Sequence, residues 1–512
     1  MGSMATHHET RQDVPGDAPV LKSWIGGQWV EGSTGELYPD INPATGELLA
    51  QTSVAGAAEV DRAVRTAQAA FKDWRAMPAP RRGEILFRAA QLIAERKEDL
   101  ARLMSREMGK VLFEARGEVQ EAIDEFFYMA GEGRRLFGFT TPSEMPNKFA
   151  CCVRDPVGVV GLITPWNFPV AVPSWKLAPA LIAGNTIVWK PAEDTPMVAL
   201  EFARLLEEAG IPPGVVNVVL GPGPQTGAPL VEHPGVRVIA FTGSTATGTL
   251  IATEGARRGK RVLLEMGGKN AITVMDDADL DLAVQGILWS AFGTSGQRCT
   301  AASRLIVHRK VIGELTERLV AGAQQLRLGN PLDETTQVGP IVNEKQLQRV
   351  HRYTGVGIEE GARLLCGGEI YREGDCAKGY FYRPTLFADV HPRMRIAQEE
   401  IFGPTAVIIP CDSLEEAIEI NNDTPYGLSS SIYTRDVNRA MQAARDLTTG
   451  IVYINHGTTG AEVHLPFGGT RGTGNGHREA AVQALDAFTE WKSIYIDYSG
   501  RLQRAQIDTP SA

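Results

Sequence analysis

The chain has 512 residues, of which 43% are hydrophobic and 22% charged, as in an ordinary globular enzyme. Its net charge of −10 argues against nucleic acid as the main partner, because phosphate binding favours a basic surface. No apolar run approaches the roughly 18–20 residues that span a bilayer, and the N-terminal residues lack the apolar core of a signal peptide. We therefore expect a cytoplasmic protein of about two to four domains.

Cysteine usage points to the same compartment. The spacing of the six cysteines fits neither a zinc pattern nor a dense disulfide framework. Reduced thiols in a cytosolic protein, with no metal site, are the expectation. The six positions are Cys151, Cys152, Cys299, Cys366, Cys376 and Cys411.

The first part of the chain changes its periodicity twice. Residues 22–55 alternate short apolar groups with Gly, Pro and Asn, which is typical of small strands and turns. Between Ala57 and Phe137 apolar residues recur at helical spacing, and they predict three helices, over 57–74, 81–110 and 112–136, the second of them continuous. Residues 148–163 predict a pair of strands with a turn near Asp155 and Pro156.

Strand and helix patterns then alternate along the chain. The strands TIVWKPA, VVNVVLG and VRVIAFTG flank the helix MVALEFARLLEEAG, and a second alternating series begins at AITVM. Such alternation predicts parallel sheets with helices on their faces, in two consecutive units with a boundary near Gly267 and Gly268. The last strand, KSIYIDY, lies outside both units and could pair with a partner subunit.

Cys299 lies in FGTSGQRCT, a run of small residues after a predicted helix. Gly293 and Gly296 allow a tight turn and the close approach of a substrate to the sulfur. A thiolate is a strong nucleophile, so this pattern fits a catalytic cysteine. It fits a buried free cysteine in a turn equally well.

Two further polar residues follow apolar strands. Glu265 in LLEMGGKN could be a mobile general base or a salt-bridged structural group. Asn167 in LITPWNFP could cap a turn or donate a hydrogen bond to an oxyanion. Together with Cys299 they supply a nucleophile, an oxyanion donor and a base for water, which are the groups that aldehyde oxidation to an acid requires.

Five motifs carry a resemblance to a known family. PWNFP, FTGST, LEMGGK, GQRCT and EEIFGP occur in the order found in the aldehyde dehydrogenase superfamily, and the resemblance covers about residues 20–498. It implies that Cys299 is the nucleophile and that Asn167 and the Cys299 backbone N–H form the oxyanion hole. It also implies that Glu265 activates the water that hydrolyses the thioester. Met266 replaces a common leucine, which leaves these roles unchanged.

A dinucleotide site follows from residues and resemblance together. Lys190 and Glu193 after a strand can reach a ribose, and the FTGSTATG helix start can expose backbone N–H groups to a pyrophosphate. Glu193 would repel a 2′-phosphate, so NAD is favoured and NADP stays open. The resemblance assigns Glu400 to the nicotinamide ribose and Phe402 to the ring. The expected cofactor residues are Trp166, Lys190, Glu193, Gly243, Ser244, Gly248, Glu400 and Phe402.

The sequence says less about the residues that bind the substrate. The resemblance implies that Phe168, Val172 and Trp175 form walls of the substrate pocket. It also implies a variable substrate loop over residues 456–469, which contains Thr458, Thr459, His464 and Phe467. Arg298 and Glu121 match local sequences of semialdehyde-oxidising branches, where an Arg and a Glu across a tunnel could hold a substrate with carboxylate and amine groups. The expected substrate residues are Phe168, Val172, Trp175, Glu121, Arg298, Thr458 and Phe467.

The resemblance also implies the architecture, an α/β fold with three parts. A Rossmann-like dinucleotide-binding domain would use residues 20–140 and 158–267 with 468–486, and an α/β catalytic domain residues 268–467. A small β oligomerisation arm would use 141–157 and 487–500, as in members that form homodimers or homotetramers. Residues 1–19 and 501–512 would be tails.

Two other functions stay open at this point. One is transfer of the acyl group to coenzyme A, in branches that commonly lack the base glutamate. The other is a non-catalytic structural or ligand-binding member of the fold, which predicts loss of the cysteine or the glutamate. Glu265 argues against the first, and the presence of both Cys299 and Glu265 argues against the second.

Overall fold

The computed structural model describes residues 18–508, so residues 1–17 and 509–512 of the predicted tails lie outside it. The N-terminal segment forms small strands, as its alternation predicts. They are β1 (Val20–Leu21), β2 (Ser23–Ile25), β3 (Gln28–Val30), β4 (Leu37–Ile41) and β5 (Leu48–Ser53). Strands β1, β5 and β4 form a three-stranded sheet, while β2 and β3 extend a larger one.

Four helices follow, one more than the periodicity predicts. They are α1 (Ala57–Ala76), α2 (Ala79–Glu95), α3 (Lys97–Met108) and α4 (Leu112–Glu132). The continuous helix expected over 81–110 is wrong, because the chain leaves the helical conformation at Arg96, with φ −102° and ψ 15°. Glu98 and Asp99 then occupy the first turn of α3, where the helix dipole favours negative side chains.

The next segment builds most of the first large sheet. Its elements are β6 (Phe139–Pro142), β7 (Lys148–Pro156), β8 (Val159–Ile163), α5 (Ala171–Ala183), β9 (Thr186–Lys190), α6 (Pro196–Glu208), β10 (Val216–Val218), α7 (Ala228–Glu232), β11 (Val238–Thr242), α8 (Thr245–Arg257) and β12 (Arg261–Glu265). This seven-stranded sheet has the order β12-β11-β8-β9-β10-β2-β3. It is parallel from β12 to β10.

The remaining elements form a second large sheet and the C-terminal strand. They are β13 (Asn270–Val274), α9 (Leu280–Phe292), β14 (Ala302–His308), α10 (Ile312–Gln325), α11 (Glu344–Glu359), β15 (Arg363–Cys366), β16 (Ile370–Tyr371), β17 (Phe381–Tyr382), β18 (Thr385–Ala388), α12 (Arg395–Gln398), β19 (Thr405–Cys411), α13 (Leu414–Asn422), β20 (Ser429–Tyr433), α14 (Val437–Asp446), β21 (Ile451–Ile454), α15 (Ala484–Phe488) and β22 (Thr489–Asp497). The second sheet has the order β15-β18-β19-β14-β13-β20-β21. The predicted α/β class is confirmed.

The strand pair predicted over 148–163 does not form. Strand β8 pairs with β9 and β11 inside the first sheet, whereas β7 pairs with β6 and β22 in a separate three-stranded sheet. Between them Gly158 has a φ of +123°, a conformation that glycine adopts easily. The chain therefore passes from one sheet into another at this point instead of forming a hairpin.

Helix α5 lies at the centre of the first unit, and the periodicity did not reveal it. All thirteen of its residues are buried, and it packs against α4, α2 and α15. A helix that is apolar on all sides must be enclosed by other elements, and its lack of an amphipathic pattern explains why it was missed. Within residues 18–508 no helix is long and apolar enough to cross a membrane.

Gly109 ends α3 with a φ of +86°, and a Cβ atom there would lie 2.5 Å from Pro340 Cγ. Gly109→Ala should destabilise the fold by about 2–4 kcal/mol, because it adds a left-handed alanine to a steric clash. Gly313→Ala is a matched control, since that helical glycine meets nothing within 4 Å and should gain about 0.5–1 kcal/mol. Thermal unfolding midpoints should fall for the first variant and rise for the second; equal midpoints would contradict the proposed cause.

Candidate active site

A pocket of about 380 Å³ brings Cys299 and Glu265 together. Glu265 is the last residue of β12 in the first sheet, and Cys299 precedes β14 in the second. The pocket therefore lies where the two sheets meet. Aromatic side chains line much of it, and these are Phe113, Phe168, Trp175, Trp289 and Phe467.

The turn before Cys299 is strained and is held by one carboxylate. Thr294 and Ser295 have φ values of 50° and 55°, which non-glycine residues rarely adopt. Glu114 of α4 accepts hydrogen bonds from the Thr294 backbone N–H at 3.0 Å and from the Thr294 hydroxyl. The same carboxylate pairs with Arg298 Nη2 at 2.9 Å. Glu114 thus ties the turn at both ends and fixes the backbone that carries the sulfur.

The Cys299 backbone is also clamped from the adjacent strand. Asn270 Nδ2 donates to the carbonyl oxygens of Cys299 at 2.7 Å and Ala301 at 2.9 Å. A Cβ atom on Gly268 would lie 2.4 Å from the Cys299 oxygen, so only glycine permits this approach. Asn167 donates through Nδ2 to the carbonyl oxygen of Gln297 at 2.9 Å, which places its amide beside the same turn.

Burial raises the pKa of both reactive groups. It raises the pKa of the Cys299 thiol to about 12, with smaller contributions from Glu400 and Glu265. It also raises the pKa of Glu265 well above the usual range; the nearby Glu479 carboxylate adds to this, and the Gly469 backbone N–H partly offsets it. No described side chain forms a hydrogen bond with the Glu265 carboxyl. A buried carboxyl that no other side chain satisfies has the character of a general base rather than of a structural ion pair.

Three residues beside Glu265 were missed by the sequence reasoning. Lys176 of α5 is paired with Glu479, and its ammonium donates to Thr242 Oγ1 at 2.7 Å. His477 Nε2 lies 3.9 Å from Glu265 Oε1. The only available signal was a cluster of charged letters in GHRE, because α5, which carries Lys176, was not predicted.

The ribose-side residues lie at the carboxyl end of β9. Lys190 Nζ donates to Glu193 Oε2 at 2.8 Å. Burial alone would raise the pKa of Glu193, but Lys190 holds it below the usual range. The pair is therefore charged and ready to bind hydroxyl groups.

Two glycines expected to expose their N–H groups to a pyrophosphate do not do so. The Gly243 N–H donates to the Glu265 carbonyl at 3.1 Å, and the Gly248 N–H donates to the Ser244 carbonyl at 2.9 Å. A Cβ on Gly248 would lie 2.4 Å from Met266 Sδ, so this glycine serves packing. Ser244 caps α8 through its side chain and remains at the helix N-terminus, where an anion is favoured.

The nicotinamide-side residues surround the Gly267–Gly268 turn. Glu400 Oε1 accepts the Gly268 N–H at 2.8 Å, and Phe402 has a φ of +62°. The ring of Phe402 meets that of Trp166 edge to face, with 5.4 Å between centroids. A Cβ on Gly267 would lie 2.4 Å from Glu400 Oε2. The turn therefore has room for the Glu400 carboxylate only because residue 267 is glycine.

Most of the residues that we expect to contact the substrate do line the pocket, but one residue of the loop does not. Phe168, Val172, Trp175 and Phe467 line it, and the rings of Trp175 and Phe467 lie 4.6 Å apart. Thr458 is fully buried beneath the loop, where its hydroxyl donates to the Thr300 carbonyl at 2.7 Å. Its expected role as a substrate contact is therefore wrong, and its neighbour Thr459 lines the pocket instead.

Arg298 and Glu121 both line the pocket but do not form the expected clamp. Arg298 is paired with Glu114 and lies under the Trp289 ring at 4.6 Å, and its Nη1 atom has no partner among residues 18–508. Burial, followed by the nearby Glu118, raises the pKa of Glu121 to about 8. Glu121 is then mostly neutral at pH 7 and offers little attraction to an ammonium group.

Comparisons with known proteins agree with this geometry. The Bacillus subtilis α-ketoglutaric semialdehyde dehydrogenase is 41% identical over 475 residues, which cover 93% of this chain and 97% of that protein. Retinaldehyde dehydrogenase 3 of Mus musculus is 42% identical over 486 residues, which cover 94% and 93%. The two similarities are almost equal, so overall identity does not select between these substrates.

A solved structure has the same fold. Betaine aldehyde dehydrogenase from Staphylococcus aureus in complex with NAD+ aligns with a TM-score of 0.92 at 33% identity, covering 94% of this chain and 95% of that one. The model of the aldehyde dehydrogenase family matches residues 29–494. The chain therefore belongs to the aldehyde dehydrogenase family, whose members oxidise aldehydes to carboxylic acids with a nicotinamide dinucleotide.

Proposed function

We propose that this enzyme oxidises an aldehyde that carries a negative charge, such as a short semialdehyde with a terminal carboxylate, and that it uses NAD. The observation that carries the proposal is the open Nη1 of Arg298, which lines the pocket one residue before the nucleophile. A guanidinium can bind a carboxylate through a charge-assisted hydrogen bond. Glu114 keeps this guanidinium in place without occupying all of its donors.

The other charges around the pocket do not oppose an anion. Three carboxylates each have a basic partner, and the pairs are Glu114 with Arg298, Glu118 with Lys110, and Glu479 with Lys176. The two unpaired carboxyls, Glu121 and Glu265, both have a raised pKa. An entering carboxylate therefore meets a pocket with little net negative charge, and the semialdehyde dehydrogenase relative is consistent with such a substrate.

The first half of the reaction forms a thioester on Cys299. The Cys299 thiol releases its proton to solvent through the pocket that it shares with Glu265. The sulfur then attacks the aldehyde carbon, and the Asn167 amide and the Cys299 backbone N–H stabilise the oxyanion. When bound, NAD accepts the hydride from this carbon.

The cofactor would be held by residues from both sheets. Lys190 and Glu193 would bind the adenine-side ribose, and Glu400 the nicotinamide ribose. Ser244 at the start of α8 would face the pyrophosphate, and Phe402, whose ring contacts Trp166, would pack near the nicotinamide ring. The charged Glu193 disfavours a 2′-phosphate, which supports NAD over NADP.

The second half hydrolyses the thioester. Glu265 takes a proton from water while the water oxygen attacks the acyl carbon, and the Cys299 thiolate leaves. Glu265 lines the pocket and is hydrogen-bonded to no other described side chain, which favours water over coenzyme A as the acceptor.

The three-stranded sheet of β6, β7 and β22 supports an oligomer. Phe139, Trp491, Tyr495 and Ile496 on these strands are exposed large apolar residues. A second copy of the chain would cover them, and we propose a homodimer or homotetramer built through this arm. All six cysteines are free thiols, which supports a cytoplasmic enzyme.

Cys299→Ala should abolish aldehyde oxidation, because no other thiol lines the pocket within residues 18–508. Cys151→Ala, on the arm, is the matched control and should keep wild-type turnover. NADH formation at 340 nm measures both. Full activity in a folded Cys299→Ala variant would remove Cys299 from the mechanism.

Glu265→Gln should retain a first burst of about one NADH per site but lose steady-state turnover by about 100-fold or more. Because the pKa of Glu265 is raised, its carboxylate form appears at higher pH than for an ordinary glutamate, so wild-type turnover should increase as pH rises above the usual carboxyl range. The variant should lack this increase. Stopped-flow absorbance separates the two phases, with the exposed Glu31→Gln as control; an unchanged steady-state rate would reject the role of the base.

Arg298→Met should raise KM for a carboxylate-bearing semialdehyde by about 10-fold or more, through loss of a charge-assisted hydrogen bond. KM for a neutral aldehyde of similar length should change far less. Glu114→Gln is the companion variant that removes the partner of Arg298 but keeps the guanidinium. Equal effects of Arg298→Met on both aldehydes would show that the charge of the substrate is not recognised there.

A further inference from the structure

His477 and Glu265 form an unassigned pair at the edge of the catalytic pocket. His477 Nε2 lies 3.9 Å from Glu265 Oε1, about 1 Å longer than an ordinary hydrogen bond. Nε2 is buried without a hydrogen-bond partner among the described residues, and the buried Glu265 carboxyl has no side-chain hydrogen bond there, only the nearby Gly469 backbone N–H. A buried, unsatisfied imidazole nitrogen this close to a carboxyl oxygen indicates an interaction that a small side-chain rotation completes.

Asn475 determines which nitrogen of His477 carries the proton. Its Nδ2 donates to the Val262 carbonyl at 2.7 Å, and its Oδ1 accepts the Leu264 N–H at 3.1 Å. Exchange of these two amide atoms would place donor against donor and acceptor against acceptor, so the amide orientation is fixed. Asn475 Oδ1 also contacts His477 Nδ1 at 2.9 Å, and this acceptor requires a proton on Nδ1. Nε2 of the neutral ring therefore has a free lone pair directed to Glu265.

Burial favours the neutral form of the His477 ring and the protonated form of the Glu265 carboxyl. Burial, with smaller effects of Lys176 and Arg478, lowers the pKa of His477 to about 3. Around Glu265 burial and Glu479 raise its pKa, and Lys176 and Arg478 only partly offset them. A neutral imidazole acceptor then faces a protonated carboxyl donor, and these two groups are complementary.

We propose that His477 is a positioning residue whose Nε2 accepts a hydrogen bond from the protonated Glu265 carboxyl and thereby sets the pH range of thioester hydrolysis. This inference rests on the proposed role of Glu265. During hydrolysis a water O–H bond breaks, its proton moves to the Glu265 carboxylate, and its oxygen bonds to the acyl carbon as the carbon–sulfur bond breaks. The new O–H of Glu265 then donates to Nε2 of His477.

The test measures hydrolysis of the acyl-enzyme directly. 4-Nitrophenyl acetate acetylates a reactive thiol without aldehyde or cofactor, and the intact mass of acid-quenched enzyme then reports loss of the acetyl group with time. Decay rates of the full-length enzyme are measured from about pH 5.5 to about pH 9. The variants are His477→Phe, which keeps a ring without a lone pair, and His477→Gln, whose carbonyl can accept the same hydrogen bond. His391→Phe is the remote control.

We expect His477→Phe to move the midpoint of the pH profile down by about 0.5–1 unit, because the protonated form of Glu265 loses an acceptor. His477→Gln should restore the wild-type midpoint, and His391→Phe should keep it. An unchanged midpoint in His477→Phe, or equal shifts in the Phe and Gln variants, would overturn the inference. Glu265→Gln separates the two proposals. If this variant loses the acetyl group at the wild-type rate, the role of Glu265 is rejected and the inference with it. If it keeps the acetyl group while the pH profile of His477→Phe is unshifted, only the inference about His477 is rejected.

Discussion

The buried ion pair of Glu114 and Arg298 supports the chemistry of the whole site. It joins α4 in the first unit to the turn before Cys299 in the second, across 184 residues of sequence. The turn contains two residues in a left-handed conformation, and such strain persists only where surrounding contacts over-determine it. Glu114 supplies those contacts. It thereby fixes the positions of the Cys299 sulfur, the unpaired guanidinium nitrogen of Arg298 and the pocket wall relative to one another.

Burial is the second constraint, and it acts on protonation. The thiol of Cys299 and the carboxyl of Glu265 lie in the same enclosed pocket, and each has its pKa raised chiefly by loss of water. A pair of neutral groups costs less to bury than a thiolate beside a carboxylate. Burial therefore favours the neutral forms of both groups.

Substrate specificity in this fold depends on a small number of side chains that line the pocket. Two relatives of nearly equal identity, 41% and 42%, have names that refer to very different aldehydes. The two large sheets, the turn before Cys299 and the Glu114 contacts that hold this turn are compatible with either aldehyde. Here the pocket combines aromatic walls with one guanidinium, and the pairing of that guanidinium leaves a single nitrogen without a hydrogen-bond partner among the described residues.

The sequence by itself determined the α/β class, the family and the positions of Cys299, Glu265 and Asn167, because alternation and short motifs depend on neighbouring residues. Only the tertiary structure decided what those residues contact. The partner of Arg298, the burial of Thr458 and the engaged N–H of Gly248 follow from packing between distant segments, and the sequence predictions were wrong there. Helix α5 and the His477–Glu265 pair were missed for the same reason: an enclosed helix has no amphipathic period, and a contact across 212 residues leaves no local pattern.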